Sequence, residues 1–272
     1  MNTRKIGTCL TGIVLGLICA ASHATVTEEE FRLLGTTLTP WGTEKAGSPD
    51  GSYPAYAGDA KAPPEFDPRK GVWPDLYPDE KPLFSIDAKN MEQHKDKLME
   101  GQMELMRRCP TYRIDVYPTH RDVWFPDYWI KGALANARNP ECKTSPDGVG
   151  VYGCWNGTPF PIPRNGYEAM WNHALRSNMN AEYVSTGYLV NANGAITLLV
   201  QTLTYNEYPY NNPAITPYEG AGQYYQRVHN LNRLPARDVG GQTMLWYPLQ
   251  FDKMDQRAWS YQAGQRRVRL AP

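Results

Sequence analysis

Residues 183–205 read YVSTGYLVNANGAITLLVQTLTY, two β-rich runs (Tyr183–Val190 and Ile196–Tyr205) around Asn193-Gly194. Asn-Gly suits a type I′ turn, so the stretch predicts a β-hairpin. Downstream, a third strand is expected around Tyr224–Asn232 and a fourth over Thr243–Leu249, after Gly240-Gly241. Trp259–Gln262 and Arg266–Leu270 flank Ala263-Gly264 and predict a second hairpin. Successive strands with short connections make an antiparallel meander, and no βαβ alternation or internal repeat is visible. Only Ala271-Pro272 follow the last strand. Such a sheet would present an uncovered edge, which Arg266, Arg267 and Arg269 charge only in part. The sheet is therefore expected to be incomplete and the chain a piece of a longer protein.

Upstream of residue 182 the period is helical. Thr27-Glu28-Glu29-Glu30 is a capping box before a short helix that Gly35 can end. Asp87 is a candidate N-cap for a helix over about 88–108, with Gly101 as its weak point. Tyr112–Tyr117 alternates like a strand and stops at Pro118. Asp127 can cap a helix over about 128–137, and Asn165 one over 166–176. Between Pro40 and Pro82 lie nine prolines and five glycines, with Trp41, Tyr53, Tyr56, Phe66, Trp73 and Tyr77 among them. Proline at this density forbids a long helix or a central strand. A linker would be poor in aromatic residues, so an extended arm packed along a folded surface is the favoured reading.

The N-terminus reads as an address. Arg4 and Lys5 precede an uncharged apolar stretch, Ile6–Ala21, and then Ser22-His23-Ala24. That is the layout of a secretory signal peptide cleaved after Ala24. The stretch is too short and too rich in Gly and Thr to span a bilayer, and no second one occurs, so no transmembrane segment is expected in the mature chain. The periplasm, with a possible outer-membrane association, is the expected location. Three expected regions follow: 1–24, the signal peptide; 25–110, the short helix, arm and longer helix; and 111–272, a partial antiparallel half-barrel with inserted helices.

Removing residues 1–24 leaves 26 basic against 28 acidic residues and three cysteines, Cys109, Cys142 and Cys154. An oxidising compartment favours one disulfide. Cys142 and Cys154 bracket a Gly-containing loop whose closure stabilises by about 3 kcal/mol, and Cys109 is left free and expected to be buried. No histidine lies near the pair, which argues against a metal site.

The near-zero charge argues against nucleic-acid partners. His120-Arg121-Asp122 has the look of a kinase catalytic loop, but Asp127 stands where that loop requires Asn, and no glycine-rich phosphate loop accompanies it. There is no nucleophile elbow, Walker loop or histidine pair at metal spacing. No catalytic residue, metal ligand or cofactor is therefore nominated. One segment stands out. In Gly157–Gly166, alternating prolines present Phe160 and Ile162 rigidly ahead of the helix carrying Trp171-Asn172-His173. It could wall a hydrophobic cavity or plug one end of the sheet.

Leu38–Gly47 (LTPWGTEKAG), Lys81–Asp87 (KPLFSID), Tyr112–Thr119 (YRIDVYPT) and Pro159–Pro163 with Trp171-Asn172-His173 together resemble one family. It is the domain-of-unknown-function family thirteen twenty-nine, exported proteins of Gram-negative bacteria whose members carry descriptions such as outer-membrane lipoprotein-sorting protein. The resemblance runs from about Leu38 to the C-terminus, and members are considerably longer. It implies an α+β fold like that of the periplasmic lipoprotein carriers: a curved antiparallel half-barrel with helices on its concave side and an apolar cavity between. It also implies an outer-membrane protein and a resistance-nodulation-division type exporter as neighbours. No catalytic residues are implied.

The first functional expectation is a non-enzymatic binding or carrier protein for an apolar, lipid-like or exported hydrophobic molecule. Its cavity would be lined by Tyr188, Leu199, Val200, Trp246 and Tyr261 and closed by Phe160, Ile162 and Trp171. An envelope docking module, using the arm and the sheet edge for strand addition, is the alternative. A secreted hydrolase using a carboxylate such as Asp115 or Glu168 comes third.

Overall fold

The computed structural model describes residues 26–58, 67–71 and 74–271. The signal peptide, and Phe66 and Trp73 of the arm, lie outside the described residues.

Six strands form one antiparallel sheet: β5 (Ala181–Val190), β6 (Ile196–Glu207), β7 (Tyr224–Leu234), β8 (Gln242–Pro248), β9 (Arg257–Gln262) and β10 (Arg267–Leu270). Their order is β10-β9-β8-β7-β6-β5, a meander with free edges at β5 and β10 and no closure into a barrel. The strands start and stop within a few residues of the positions read from alternation. The turn between β5 and β6 differs from expectation. Only Gly194 has a positive φ (82°); its N–H bonds to the Asn191 carbonyl, and the Asn191 N–H to Ala195 O. This is the longer hairpin loop, a turn followed by a left-handed glycine, and not the two-residue type I′ turn. The Asn191 side-chain oxygen also accepts the Ala195 N–H at 2.9 Å, which favours the longer loop.

The remaining helices and strand pairs precede this sheet in the chain. They are the helices α1 (Glu28–Phe31), α2 (Glu100–Arg108), α3 (Asp127–Arg138) and α4 (Gly166–Ala174), and the short strand pairs β1 (Phe84–Ile86) with β2 (Ile114–Val116) and β3 (Lys143–Thr144) with β4 (Val151–Tyr152). The capping box of α1 is present, with Glu30 N–H bonded to Thr27 Oγ1 and the Glu30 carboxylate returning to Thr27 N–H. Asn165 caps α4 through the Glu168 N–H. The single helix expected over 88–108 is two pieces. A 3₁₀ segment, Met91–Lys97, ends at an extended Leu98 (φ −112°, ψ 143°), and α2 starts afresh with Gln102 bonded back to the Met99 N–H. The break lets Met91 and Leu98 pack from one piece, and Met103 and Met106 from the other, against Ile86, Ile114 and Val116.

Cys142 and Cys154 form a disulfide that closes the β3–β4 hairpin. Cys109 is free but exposed, contrary to the expected burial: it caps the C-terminal end of α2 at the surface. The main core joins Val151, Cys154, Phe160, Trp171, Leu175, Tyr210 and Leu249, where β6 and β8 leave the sheet and β7 enters it. Tyr210 is fully buried, and its hydroxyl donates to Gly157 O at 2.7 Å. No described helix is long and apolar enough to cross a membrane.

The described part of the proline-rich arm is packed, and His120-Arg121-Asp122 is what holds it. The Arg121 guanidinium donates to the carbonyls of Glu44, Ala46 (2.7 Å) and Pro54 (2.9 Å) and lies over the Tyr53 ring. His120 stacks on Tyr77 at 3.6 Å and bonds Glu80 at 2.6 Å. Asp122 accepts the Tyr77 hydroxyl, which pushes that phenol up to about 12. Trp41 meets Phe125 edge-on at 4.7 Å, and Phe125 stacks on Trp129.

Candidate functional site

Residues directly opposite each other in a sheet share a face, so the strand register sorts the side chains. One row across all six strands is Tyr183, Thr204, Asn230, Thr243, Ser260 and Arg269. Its hydrogen bonds run from strand to strand: Thr204 Oγ1 to Asn230 Oδ1 at 2.8 Å, and Asn230 Nδ2 to Thr243 Oγ1 at 3.0 Å. Neighbouring rows on that face add Thr202 to Asn232 and Gln226 to Asn206. This is the more polar face, although its row nearest the core end, Asn206, Val228, Leu245 and Ala258, is mostly apolar.

The opposite face is apolar. One complete row reads Val184, Leu203, Leu231, Gln242, Tyr261 and Val268, and the next Glu182, Tyr205, His229, Met244, Trp259 and Leu270. Towards the hairpin tip Tyr188 opposes Leu198, and Val190 opposes Ile196. Its hairpin tip and its β10 edge are exposed to solvent. Tyr188 is 61% exposed, Val190 64%, Ile196 70%, Val268 67% and Leu270 64%. The strands in the middle fare better, with Leu231, Met244, Trp246, Trp259 and Tyr261 half-buried and Leu203 buried. Three one-residue bulges bend the sheet, at Leu199 in β6 and at Tyr225 and Arg233 in β7.

Of the residues nominated from the sequence, Tyr188, Trp246 and Tyr261 stand on the apolar face. Leu199 is itself the bulge residue, half exposed, and Val200 opposes Gly187 on the polar face. The bulge reverses the alternation, so a count by twos from Tyr205 misplaces everything before it. Phe160 and Trp171 sit in the main core. Trp171 meets Tyr225 edge-on at 6.1 Å, and its indole N–H donates to Gly148 O. Ile162 and Phe160 border a recess of about 40 Å³ beside Cys142, Arg164 and Glu168, room for water molecules but not for a lipid. The proline segment thus plugs the end of the sheet. Missed in the sequence were Val184, Leu203, Leu231, Met244, Trp259, Val268 and Leu270. Steps of two from Trp246 and Tyr261 reach Met244 and Trp259, but placing the rest requires the register.

One border of the apolar face is charged. Glu207, Arg227, Trp246 and Arg257 oppose each other across β6 to β9. Glu207 holds Arg227 in an ion pair, and the Arg227 guanidinium lies over Trp246, 5.5 Å from its centroid. Tyr224 and Trp259 contact Trp246 edge-on at 5.1 and 5.0 Å. Behind this border burial pushes the Tyr225 and Tyr218 phenols up, and Tyr218 exchanges hydrogen bonds with the Cys154 backbone. The two acids considered for hydrolysis are engaged locally. Asp115 accepts from Ser85 and Arg113, which hold its carboxyl below the usual range, and Glu168 accepts the Arg164 N–H ahead of α4. Among the described residues no group of three or more His, Cys, Asp or Glu side chains is arranged to hold a metal ion.

A family model described as "Protein of unknown function (DUF1329)" matches residues 85–272, from β1 to the end of the chain. The chain belongs to the DUF1329 family. The matched region takes in the whole sheet, while the proline-rich arm lies ahead of it. An uncharacterized protein of Pseudomonas aeruginosa, PA3922, is 35% identical over 283 aligned residues, which cover 100% of this chain and 59% of the relative. The chain thus spans less than two thirds of that DUF1329 relative. No solved structure matches it.

Proposed function

We propose that this DUF1329 protein is an exported, non-enzymatic binding or carrier protein, and that it holds an apolar, lipid-like molecule against the apolar face of its six-stranded sheet. The observation that carries this reading is the pair of mostly apolar rows, six strands wide, whose side chains on the outer strands are exposed to solvent. Soluble proteins rarely leave so large a contiguous apolar surface bare unless something binds there. Each 100 Å² of it withdrawn from water contributes about 2.5 kcal/mol. The bulges suit a sheet bent round its ligand in the manner of a half-barrel, and the Cys142–Cys154 disulfide suits an oxidising periplasm. Delivery would run between an exporter of the resistance-nodulation-division type and an outer-membrane protein.

Native mass spectrometry after mild purification tests the reading. Lipid-like adducts should be retained and should be lost in the double variant Met244→Glu/Tyr261→Glu. A clean apo protein that takes up no apolar dye defeats it.

A second reading rests on the β5 edge. Nine of its ten residues are exposed, Glu182 is its one charged side chain and it contains no proline, so it is open to strand addition. Cross-linking in cells separates the two readings. A docking protein keeps its partner when Met244 and Tyr261 are made acidic, whereas a carrier loses its cargo.

A further inference from the structure

The apolar face is graded along its strands. At the core end runs the Glu207-Arg227-Trp246-Arg257 row, next comes the row of Tyr205, Met244 and Trp259, and then the uncharged row of Leu203, Leu231 and Tyr261. Within the charged row the two cations differ. Arg227 is neutralised by Glu207 and laid over Trp246, whereas Arg257 is exposed and has no carboxylate within ion-pair distance among the described residues. Arg257 also lies two residues before Trp259 on the same face, so its charge is delivered where the aromatic surface begins. An uncompensated guanidinium at one end of a bare apolar surface is complementary to a molecule with an acidic oxygen head and an apolar tail.

We propose that the ligand of this face is an anionic amphiphile, its carboxylate or phosphate head held by Arg257 and its tail laid over Trp259, Met244, Tyr261 and Leu231. The assignment rests on the carrier reading above and deepens it by naming the head group. The Trp246 ring, fixed by Arg227 on its face and by Tyr224 and Trp259 at its edges, keeps the head end of the face rigid.

Four probes sharing a dodecyl tail test this by displacement of N-phenylnaphthylamine from the whole protein: laurate, dodecyl phosphate, dodecanol and dodecyltrimethylammonium. Laurate or dodecyl phosphate should bind about tenfold more tightly than dodecanol, the size of one charge-assisted hydrogen bond at an exposed site. The ammonium probe should bind worst. Arg257→Gln should erase the preference and leave dodecanol binding unchanged, Arg257→Lys should retain part of it, and added salt should shrink it in the native protein. Comparing laurate with dodecyl phosphate then tells a fatty-acid head from a phospholipid-like one. Equal affinity for acid and alcohol, or a preference that survives Arg257→Gln, overturns the head-group assignment and leaves the apolar reading standing. Binding of none of the four overturns both.

Discussion

Arg121 makes three of the hydrogen bonds that pack the arm, and replacing it with Met tests its share of the anchor. In the native protein its guanidinium serves three carbonyls, those of Glu44, Ala46 and Pro54, and lies 4.9 Å from the Tyr53 ring centroid. Hydrogen bonds from a charged donor contribute about 1.5–3 kcal/mol each when buried. Arg121 is half-buried, so about 1 kcal/mol apiece is the appropriate figure, with about 0.5 kcal/mol for the ring. The arm should therefore open more easily by about 3 kcal/mol, a factor on the order of a hundred in its opening equilibrium. The amides of Tyr56 and Ala57, bonded to the carbonyls of Lys45 and Arg121, are the reporters. Their hydrogen exchange should accelerate about a hundredfold in Arg121→Met, while amides in β6 and β7 stay protected. Arg121→Lys keeps the charge but loses the planar fork, and should fall between. Unchanged protection at Tyr56 and Ala57 in the Met variant would refute the clamp and return the arm to the status of a linker held by its aromatic residues alone.

Three further outcomes follow from the same packing. Replacing both Cys142 and Cys154 with serine should lower the unfolding free energy by about 3 kcal/mol, read as a lower urea midpoint that reducing agent does not shift further. A Cβ at Gly132 would stand 1.3 Å from the Asn156 carbonyl oxygen, so Gly132→Ala must push α3 off the 155–157 loop and should cost about 3 kcal/mol or more in thermal melts. Gly101→Ala, with nothing within 4 Å of the added carbon, is the matched control. The Arg164 guanidinium, with help from the Thr27 N–H, lowers the Glu30 carboxyl from its ordinary 4.5 to about 2. Because the folded value is the lower one, this stabilisation is complete above about pH 4.5 and disappears as the pH falls towards 2. For a pair this near the surface it amounts to at most about 1 kcal/mol. The difference in urea midpoint between native protein and Glu30→Gln should be present at pH 6 and gone near pH 2.

What the sequence disclosed and what it withheld divide along physical lines. Strands were legible because β-rich runs from Tyr183 to Leu270 are separated by turn residues, and caps because Thr27 and Asn165 are paired with Glu three residues on. The disulfide followed from there being so few cysteines to pair. The break at Leu98 was not legible, since no proline or glycine marks it and tertiary packing of four apolar side chains decides it. The short strand Phe84–Ile86 lacks the length for alternation to show. Val200 lies on the near side of the bulge, five residues from Tyr205, so plain alternation already assigns it to the polar face. The burial of Phe160 and Trp171 was lost to the fact that a plug and a cavity wall use the same apolar residues. His120-Arg121-Asp122 carries the opposite lesson. Three polar residues in a catalytic-looking order serve here as an anchor, and only their partners in the arm reveal it.

The two faces of the sheet divide its work. A sheet whose apolar side is left open cannot rely on that side for register, because a slip by one residue would cost it few buried contacts. Here the register is held from the other side. Thr202 with Asn232, Thr204 with Asn230, Asn230 with Thr243, and Gln226 with Asn206 are side-chain bonds that a one-residue slip would break all together. At the core end the Tyr210 and Trp171 cluster fixes where β6 leaves and β7 enters. The polar ladder and the end plug thus make the sheet's order independent of whatever covers its apolar face. On the carrier reading proposed above, that independence would let an apolar cargo leave without unfolding the sheet that held it.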